Sequence, residues 1–400
     1  MRLTRSILYA GILFGLTACS NDGVLDPSRG QPGDGLMSDV SSGAALHVDN
    51  VDDLYATVNN SENAGANVFL APGTYVLTAS RGGVARPNAG RLELQPGMSL
   101  YGIEGNRSAV VIDMSALPAS SFNAAVGKTS ALRIGRGSNS IEWLTIRGNP
   151  NSAAGVETDI ADSGPALVTI AHVAAYESIR GIDLRNTGAA MAGRMIVASV
   201  NDNEFLQGNE GIRIVNVGVN TAKIDVSMSG NRIHDNVNGC IIEHNRGNNG
   251  VIQIRSSGDR FYNNALGCLI GGGLVAAPGT ANSNVTVFEG HGDSFSDNTQ
   301  PPSGIDFGGL LVIGAETPGA RNSASNNSVK VSLWGTDISG NQNYNLQAFG
   351  ARSTANPAGI SGTGNTVTID LHGMSKRLAV GVVNSLPFEA GGTNTVTVNR

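Results

Sequence analysis

Along most of this chain, apolar residues recur at every second position in short runs that end at Gly, Pro, Asn or Asp. NVFLAPGTYVLT (67–78) and RLELQPGMSLYGIEGN (91–106) are early examples. Such alternation predicts short strands with one buried face, separated by turns. One segment differs. In VDDLYATVNN (51–60), Val51, Leu54, Tyr55 and Val58 recur at helical spacing, so a short amphipathic helix is expected there.

The strand pattern repeats. SGNRIHDNVNGCIIEHN from Ser229 and SGDRFYNNALGCLIGGG from Ser257 match without a gap. VNDNEFLQGNEGIRIVN from Val200 fits at nearly the same offset. HGDSFSDN (291–298) and TDISGN (336–341) continue the pattern at longer spacing. A second signature recurs as NVTV from Asn284, NSVKV from Asn327, NTVTI from Asn365 and NTVTV from Asn394. A β-rich period of about 30 residues predicts a solenoid of roughly ten or eleven coils. Three long insertions, 271–283, 314–326 and 351–365, fall at one point of the coil and should form a wall on one side.

The entry helix followed by LAPGTY and SLYG resembles right-handed parallel β-helix proteins of the pectin-lyase-like superfamily. That resemblance implies an all-β fold, a single right-handed parallel β-helix over residues 46–400 with its N-terminal end capped by the helix. It leaves activity open, because the fold hosts lyases, hydrolases, adhesins and non-catalytic modules.

Composition changes the picture in two ways. The 54 Gly, 14% charged and 5% aromatic residues suit strands and turns, and no basic stripe speaks for a nucleic-acid partner. The N-terminus, MRLTRSILYAGILFGLTACS, has Arg2 and Arg5 before a short apolar core, which marks a targeting segment (1–18). Leu16-Thr17-Ala18-Cys19 resembles the bacterial lipobox, which implies lipidation of Cys19 and a membrane partner through the lipid. Ser20 implies an outer-membrane address in the cell envelope. Without residues 1–18 the formal charge is 24 − 32 = −8. Residues 19–45, rich in Gly, Ser, Asp and Pro, read as a flexible tether.

Candidate chemistry was weighed against the repeat. HDNVNGCIIEH (234–244) contains four potential metal ligands. The alignment instead puts Ile212, Cys240, Cys268 and Ile305 in one inward column, and Ile214, Ile242, Ile270 and Phe307 in another. Cys240 and Cys268 then lie about 4.8 Å apart, as buried thiols or as a disulfide. His234 falls on a surface turn. An inward Cys240 and an outward Glu243 do not converge on an ion. Asn236, Asn264, Asn298 and Asn341 recur at one turn and resemble the asparagine ladder of β-helix proteins. Gly290-His291-Gly292 resembles a polygalacturonase motif, but its companion motifs are missing and His291 aligns with Ser229 and Ser257.

The remaining candidates lie on the outward face of the strands that follow the repeat Gly: Asp183 with Arg185, then Arg213, Glu243 and His244. By resemblance, a lyase would use an Arg base with acids or Ca²⁺ neutralising a uronate. No cofactor is called for otherwise, and no clear Ca²⁺ site stands out. Asp183 and Arg213 are equally explained by an exposed salt bridge. Trp143 and Trp334 are the only tryptophans, few for aromatic sugar platforms. The expected function is therefore an envelope lipoprotein whose loop face binds glycan or another envelope component without catalysis. The alternative is a polysaccharide lyase or glycoside hydrolase acting on an acidic polysaccharide.

Overall fold

A computed structural model describes residues 43–400 apart from 123–128, 159–163, 188–192, 219, 276–278, 300–307, 318–321, 354–361, 375–379 and 386–392. The targeting segment, Cys19 and most of the tether lie outside the described residues, as do Ile305, Phe307 and parts of all three insertions.

The chain winds as a right-handed parallel β-helix with three long sheets among the described residues, beside two two-stranded ones. The first sheet has twelve strands, from Ala45–Val48 to Thr395–Asn399. The second has eight short strands, from Gly73–Val76 to Ser294–Ser296. The third has ten, from Leu92–Glu93 to Val380–Ser385. One coil visits each sheet once: Lys223–Ser229, Arg232–His234, Asn238–Asn245. The next coil, starting at Val251, pairs with it in parallel at every sheet. The first strand begins at Ala45, at the tether's expected end, because Val48 already enters the core.

The helix spans Val51–Val58 and buries Leu54, Tyr55 and Val58 against the core. Its start is fixed by Asn50, whose side chain accepts from the backbone N–H of Asp52 and Asp53, both at 3.0 Å. The Tyr55 hydroxyl donates to Gly90 O at 2.6 Å and ties the helix to the opening coil.

Alternation along each strand fills the interior with columns of like residues. Phe205, Ile233, Phe261 and Phe295 stack in the second sheet, and the last two rings lie 4.8 Å apart. In the third sheet one column runs Ile182, Ile212, Cys240, Cys268. It continues to Leu310 rather than Ile305, and the neighbouring column to Val312 rather than Phe307. The loop after Asn298 is longer than the gapless alignment allowed. Cys240 and Cys268 are both free thiols with no exposed surface. Burial, with Cys240 adding to it, pushes the Cys268 thiol well up.

The repeat Gly has a steric cause. A Cβ on Gly239 would lie 2.4 Å from Gly267 O, and one on Gly267 would lie 2.4 Å from Gly309 O. Only glycine lets successive coils close at that corner.

The next corner is held by amides. Asn236, Asn264, Asn298 and Asn341 form the expected ladder: each side-chain oxygen accepts the backbone N–H of the rung before it, at 2.9–3.1 Å. A second ladder of Asn284, Asn327, Asn365 and Asn394 holds the corner before the first sheet. Its signature was visible as the repeated N-x-V motif. Such rungs pay off in buried backbone groups, which must find partners. Asn264→Ala would strip partners from Asn236 N and Ile233 O in a site with no exposure. The expected loss is on the order of 3 kcal/mol, measured by urea unfolding, with secondary structure retained.

Candidate functional site

The third sheet carries an unusual outward face. Residues that point away from the core normally meet solvent, yet here they are charged and buried. One column reads Glu93, Arg133, Glu157, Asp183, Arg213 in five successive coils. Arg133 is 5% exposed, and Glu157 and Asp183 are 0% exposed. A charge buried this deeply must be paired or it destabilises the fold.

The pairing is extensive. Arg185 reaches Glu157 through Nη2 at 2.5 Å and Nε at 3.1 Å, and also donates to Thr129 Oγ1 at 2.7 Å. The hydroxyls of Thr129 and Ser130 donate to the same carboxylate. Arg180 pairs with Glu210 at 2.5 Å. Arg213 Nη2 pairs with Glu243 at 3.1 Å, and its Nε lies 3.8 Å from Glu210. Arg91 and Arg133 share Glu93, at 2.7 and 3.4 Å. Burial alone would lower the Arg213 pKa, but the carboxylates of Asp183, Glu243 and Glu210 outweigh it and raise the value. Glu243 is pushed up by burial, with Arg213 opposing.

Asp183 stands apart. Arg180 and Arg185 approach its Oδ2 only to 3.5 and 3.7 Å. Neither of its oxygens accepts a hydrogen bond. It is a buried carboxylate held by charge alone, at the centre of three arginines.

The structure thus brings Asp183, Arg185, Arg213 and Glu243 together, as expected. It also corrects three expectations. The Asp183–Arg213 pair is not exposed: the two are register partners, but Asp183 has no accessible surface. His244 is not on this face. Its strand position points inward, where it is 1% exposed and caps a row of Asn186 and Asn216. Its Nε2–H donates to Val285 O at 3.2 Å, leaving Nδ1 to accept from Asn216 at 3.3 Å. Burial pulls its pKa down to about 4, so the ring is neutral at pH 7. His234 is not on a turn. It ends the strand Arg232–His234, stacks on Tyr262 at 4.7 Å, and contacts Asp235 and Glu204 at 2.6 and 3.3 Å.

The other motifs resolve as structure. His291 ends a strand of the first sheet and stacks in register on Trp334, which stacks on His372, at 4.3 and 4.5 Å. Trp143 stacks on His172 at 3.7 Å. These ring faces are spent on one another rather than offered to a sugar. No group of three His, Cys, Asp or Glu among the described residues is arranged to hold a metal ion.

Sequence reasoning missed Glu157, Arg180, Glu210, Thr129 and Ser130. The signal for Arg180 and Glu210 was present: both precede the repeat Gly by one residue, in register. Glu157 lies on a strand too short to align by eye.

No family model matches the chain, and no curated protein matches it. Among solved structures the chain is similar to the A-module of the Azotobacter vinelandii mannuronan C-5 epimerase AlgE4, at 15% identity and a TM-score of 0.40, covering 88% of this chain and 100% of that one. Pectate lyase Pel9A is similar at 12% identity and 0.36, over 88% of this chain and 82% of that one. The catalytic domain of a GH87 α-1,3-glucanase follows at 11% and 0.37, over 94% and 70%. At these identities the likeness is one of fold.

Breaking the network at one end tests its cost. Arg213→Ala leaves Glu243 buried without its cation and should lose about 3–5 kcal/mol. The double variant Arg213→Ala/Glu243→Ala should recover part of that loss in urea unfolding.

Proposed function

We propose that this protein is a lipid-anchored component of a bacterial cell envelope whose β-helix binds glycan at the charged face of the third sheet, without catalysis. The carrying observation is Asp183, whose two oxygens accept no hydrogen bond beneath Arg180, Arg185 and Arg213. A carboxylate so placed accepts a pair of sugar hydroxyls, and the flanking guanidinium groups donate to ring and hydroxyl oxygens. The arginines keep 14–15% of their side-chain surface exposed, whereas Asp183 has none, so a ligand would meet the arginines first.

Two features favour binding over cleavage. Each of these arginines is already tied to a carboxylate, which leaves no free cation to neutralise a uronate. Among the described residues the network also sets five arginines (91, 133, 180, 185, 213) against five carboxylates (93, 157, 183, 210, 243). A balanced site selects neutral glycans over polyanions.

The test is a panel of neutral and uronate polysaccharides, read for binding by calorimetry, for new absorbance at about 235 nm and for new reducing ends. Binding without product is expected, weakened at least about tenfold by Asp183→Ala. Product formation that disappears in Arg213→Ala would replace this reading with a polysaccharide lyase or hydrolase.

The anchor rests on the apolar run before Leu16-Thr17-Ala18-Cys19. Each buried lipid CH₂ is worth about 0.8 kcal/mol, so more than one acyl chain holds the protein stably. Cys19→Ala should move it from the membrane to the soluble fraction; continued membrane association would remove the lipid anchor from this reading.

A further inference from the structure

We propose that Asp259 and Asp293 form a carboxyl pair that shares a proton within the coil stack, making the corner between the first and second sheets a pH-sensitive weak point. This pair lies in a third ladder, at the turn that follows each first-sheet strand. Its rungs are Asn203, Asn231, Asp259 and Asp293.

The ladder's chemistry explains why a proton is needed. At Asn231 the side-chain oxygen accepts from Asn203, through both N and Nδ2 at 3.0 Å. Its Nδ2 then donates twice, to Val200 O at 2.7 Å and to Asp259 Oδ1 at 2.8 Å. Each amide rung therefore supplies one acceptor and one donor. Asp259 supplies the acceptor: Oδ1 takes Asn231 N at 2.8 Å. Its N–H donates to Asp293 Oδ1 at 2.9 Å. Its Oδ2 takes the Ser256 hydroxyl at 2.7 Å. At the next rung, Asp293 Oδ2 has no partner, and the residue is 1% exposed. In Asn203 and Asn231 the second side-chain atom donates to a carbonyl three residues before the preceding rung, Ile170 and Val200. The same step from Asp293 leads to Ser256. Only a protonated oxygen can repeat that bond.

Among the described residues no cation offsets the two charges. The groups that bear on Asp259 are Asn231 from the coil before it, Ser256 from its own strand and Asp293 from the coil after it. Those that bear on Asp293 are Asp259, Ser256 and the Gly258 backbone. Across the core, a charge on Asp293 adds to the burial that holds the Cys268 thiol protonated. Burial pushes Asp259 up to about 6, and burial together with Asp259 pushes Asp293 up to about 7. The pair thus retains roughly one proton near neutrality.

The sign of the pH effect follows. Both groups hold protons more tightly folded than unfolded, where Asp titrates near 3.8. Their stabilisation is full below about pH 4, falls as pH rises through 6 and 7, and is flat above. The affected corner carries Ser294 N donating to Asp259 O at 2.8 Å, at the strand Ser294–Ser296 that ends the second sheet.

Thermal unfolding of the full chain in detergent, from about pH 4 to pH 8, tests this with the wild type, Asp293→Asn and Asp259→Asn. Asp293→Asn restores an amide donor of the same size. Its midpoint should exceed the wild type's at about pH 8, with the gap closing toward about pH 4, and Asp259→Asn should flatten the same dependence. Curves for wild type and both variants that run parallel across the range would overturn the proposal. Carboxyl carbon NMR of the ¹³C-aspartate-labelled wild type gives a reading independent of the variants. Two buried carboxyls titrating above about pH 5 are expected, and ionisation of both below that value would also sink it.

Discussion

The constraint on which this molecule depends is the register of parallel hydrogen bonding from one coil to the next. Once Val251–Ser257 is bonded in parallel to Lys223–Ser229, each side chain lies above its equivalent in the previous coil. The sheet spacing of about 4.8 Å then sets what each column accepts. Inward columns take aliphatics and phenyl rings, which gain from stacking on their own kind. Corners where backbones meet take only Gly, as at Gly239 and Gly267. Corners where backbone N–H groups turn inward take Asn, whose amide both accepts and donates. A charge or an unmatched carboxyl entering such a column is repeated or opposed one coil later, so its consequences spread along the axis.

This same constraint decided what could be read in advance. Sequence offsets assign residues to columns, so the Cys240–Cys268 stack, the Asn236 ladder and the grouping of Arg185, Arg213 and Glu243 were all legible. Offsets fail where a loop changes length. The column after Cys268 passes to Leu310 because the loop after Asn298 is longer than the aligned coils suggested. Alternation also says which face a side chain takes but not what covers that face. Asp183 was placed outward correctly, yet it has no accessible surface, which alternation alone does not reveal. His244 was misplaced for a third reason. Glu243 and His244 are adjacent and so face opposite ways; the outward reading of Glu243 should have sent His244 inward to join Asn216.

The charged column invites a comparison that the fold itself provides. From Glu93 to Arg213 the column is charged in every coil, and in the following coils it reads Ile241, Leu269, Leu311. Leu269 and Leu311 are as buried as the charges were and pack with Leu266, Ile313 and Phe349. The same structural position is therefore filled in two ways in one molecule. Replacing a buried ion network with apolar residues is often neutral or stabilising, because desolvating the ions costs as much as their attraction returns. The apolar solution is available to this scaffold and is used from the coil after Arg213 onward. Stability alone gives no reason to keep five charges in this column on the earlier coils, and still less to leave Asp183 without a hydrogen bond.

The position of the two anomalies strengthens that contrast. Asp183 and Asp293 are both buried acids with an oxygen that accepts no hydrogen bond, but they differ in what surrounds them. Asp183 is ringed by arginines, and neither of its oxygens accepts a hydrogen bond. Among the described residues the Asp259–Asp293 pair meets amides and a hydroxyl but no cation, and resolves its conflict by holding a proton. One site leaves its acceptor capacity unused beneath partly exposed arginines. The other closes its capacity internally and changes only when the proton leaves. The scaffold's register thus places the same side-chain type in two electrostatic settings, one among arginines and one among amides.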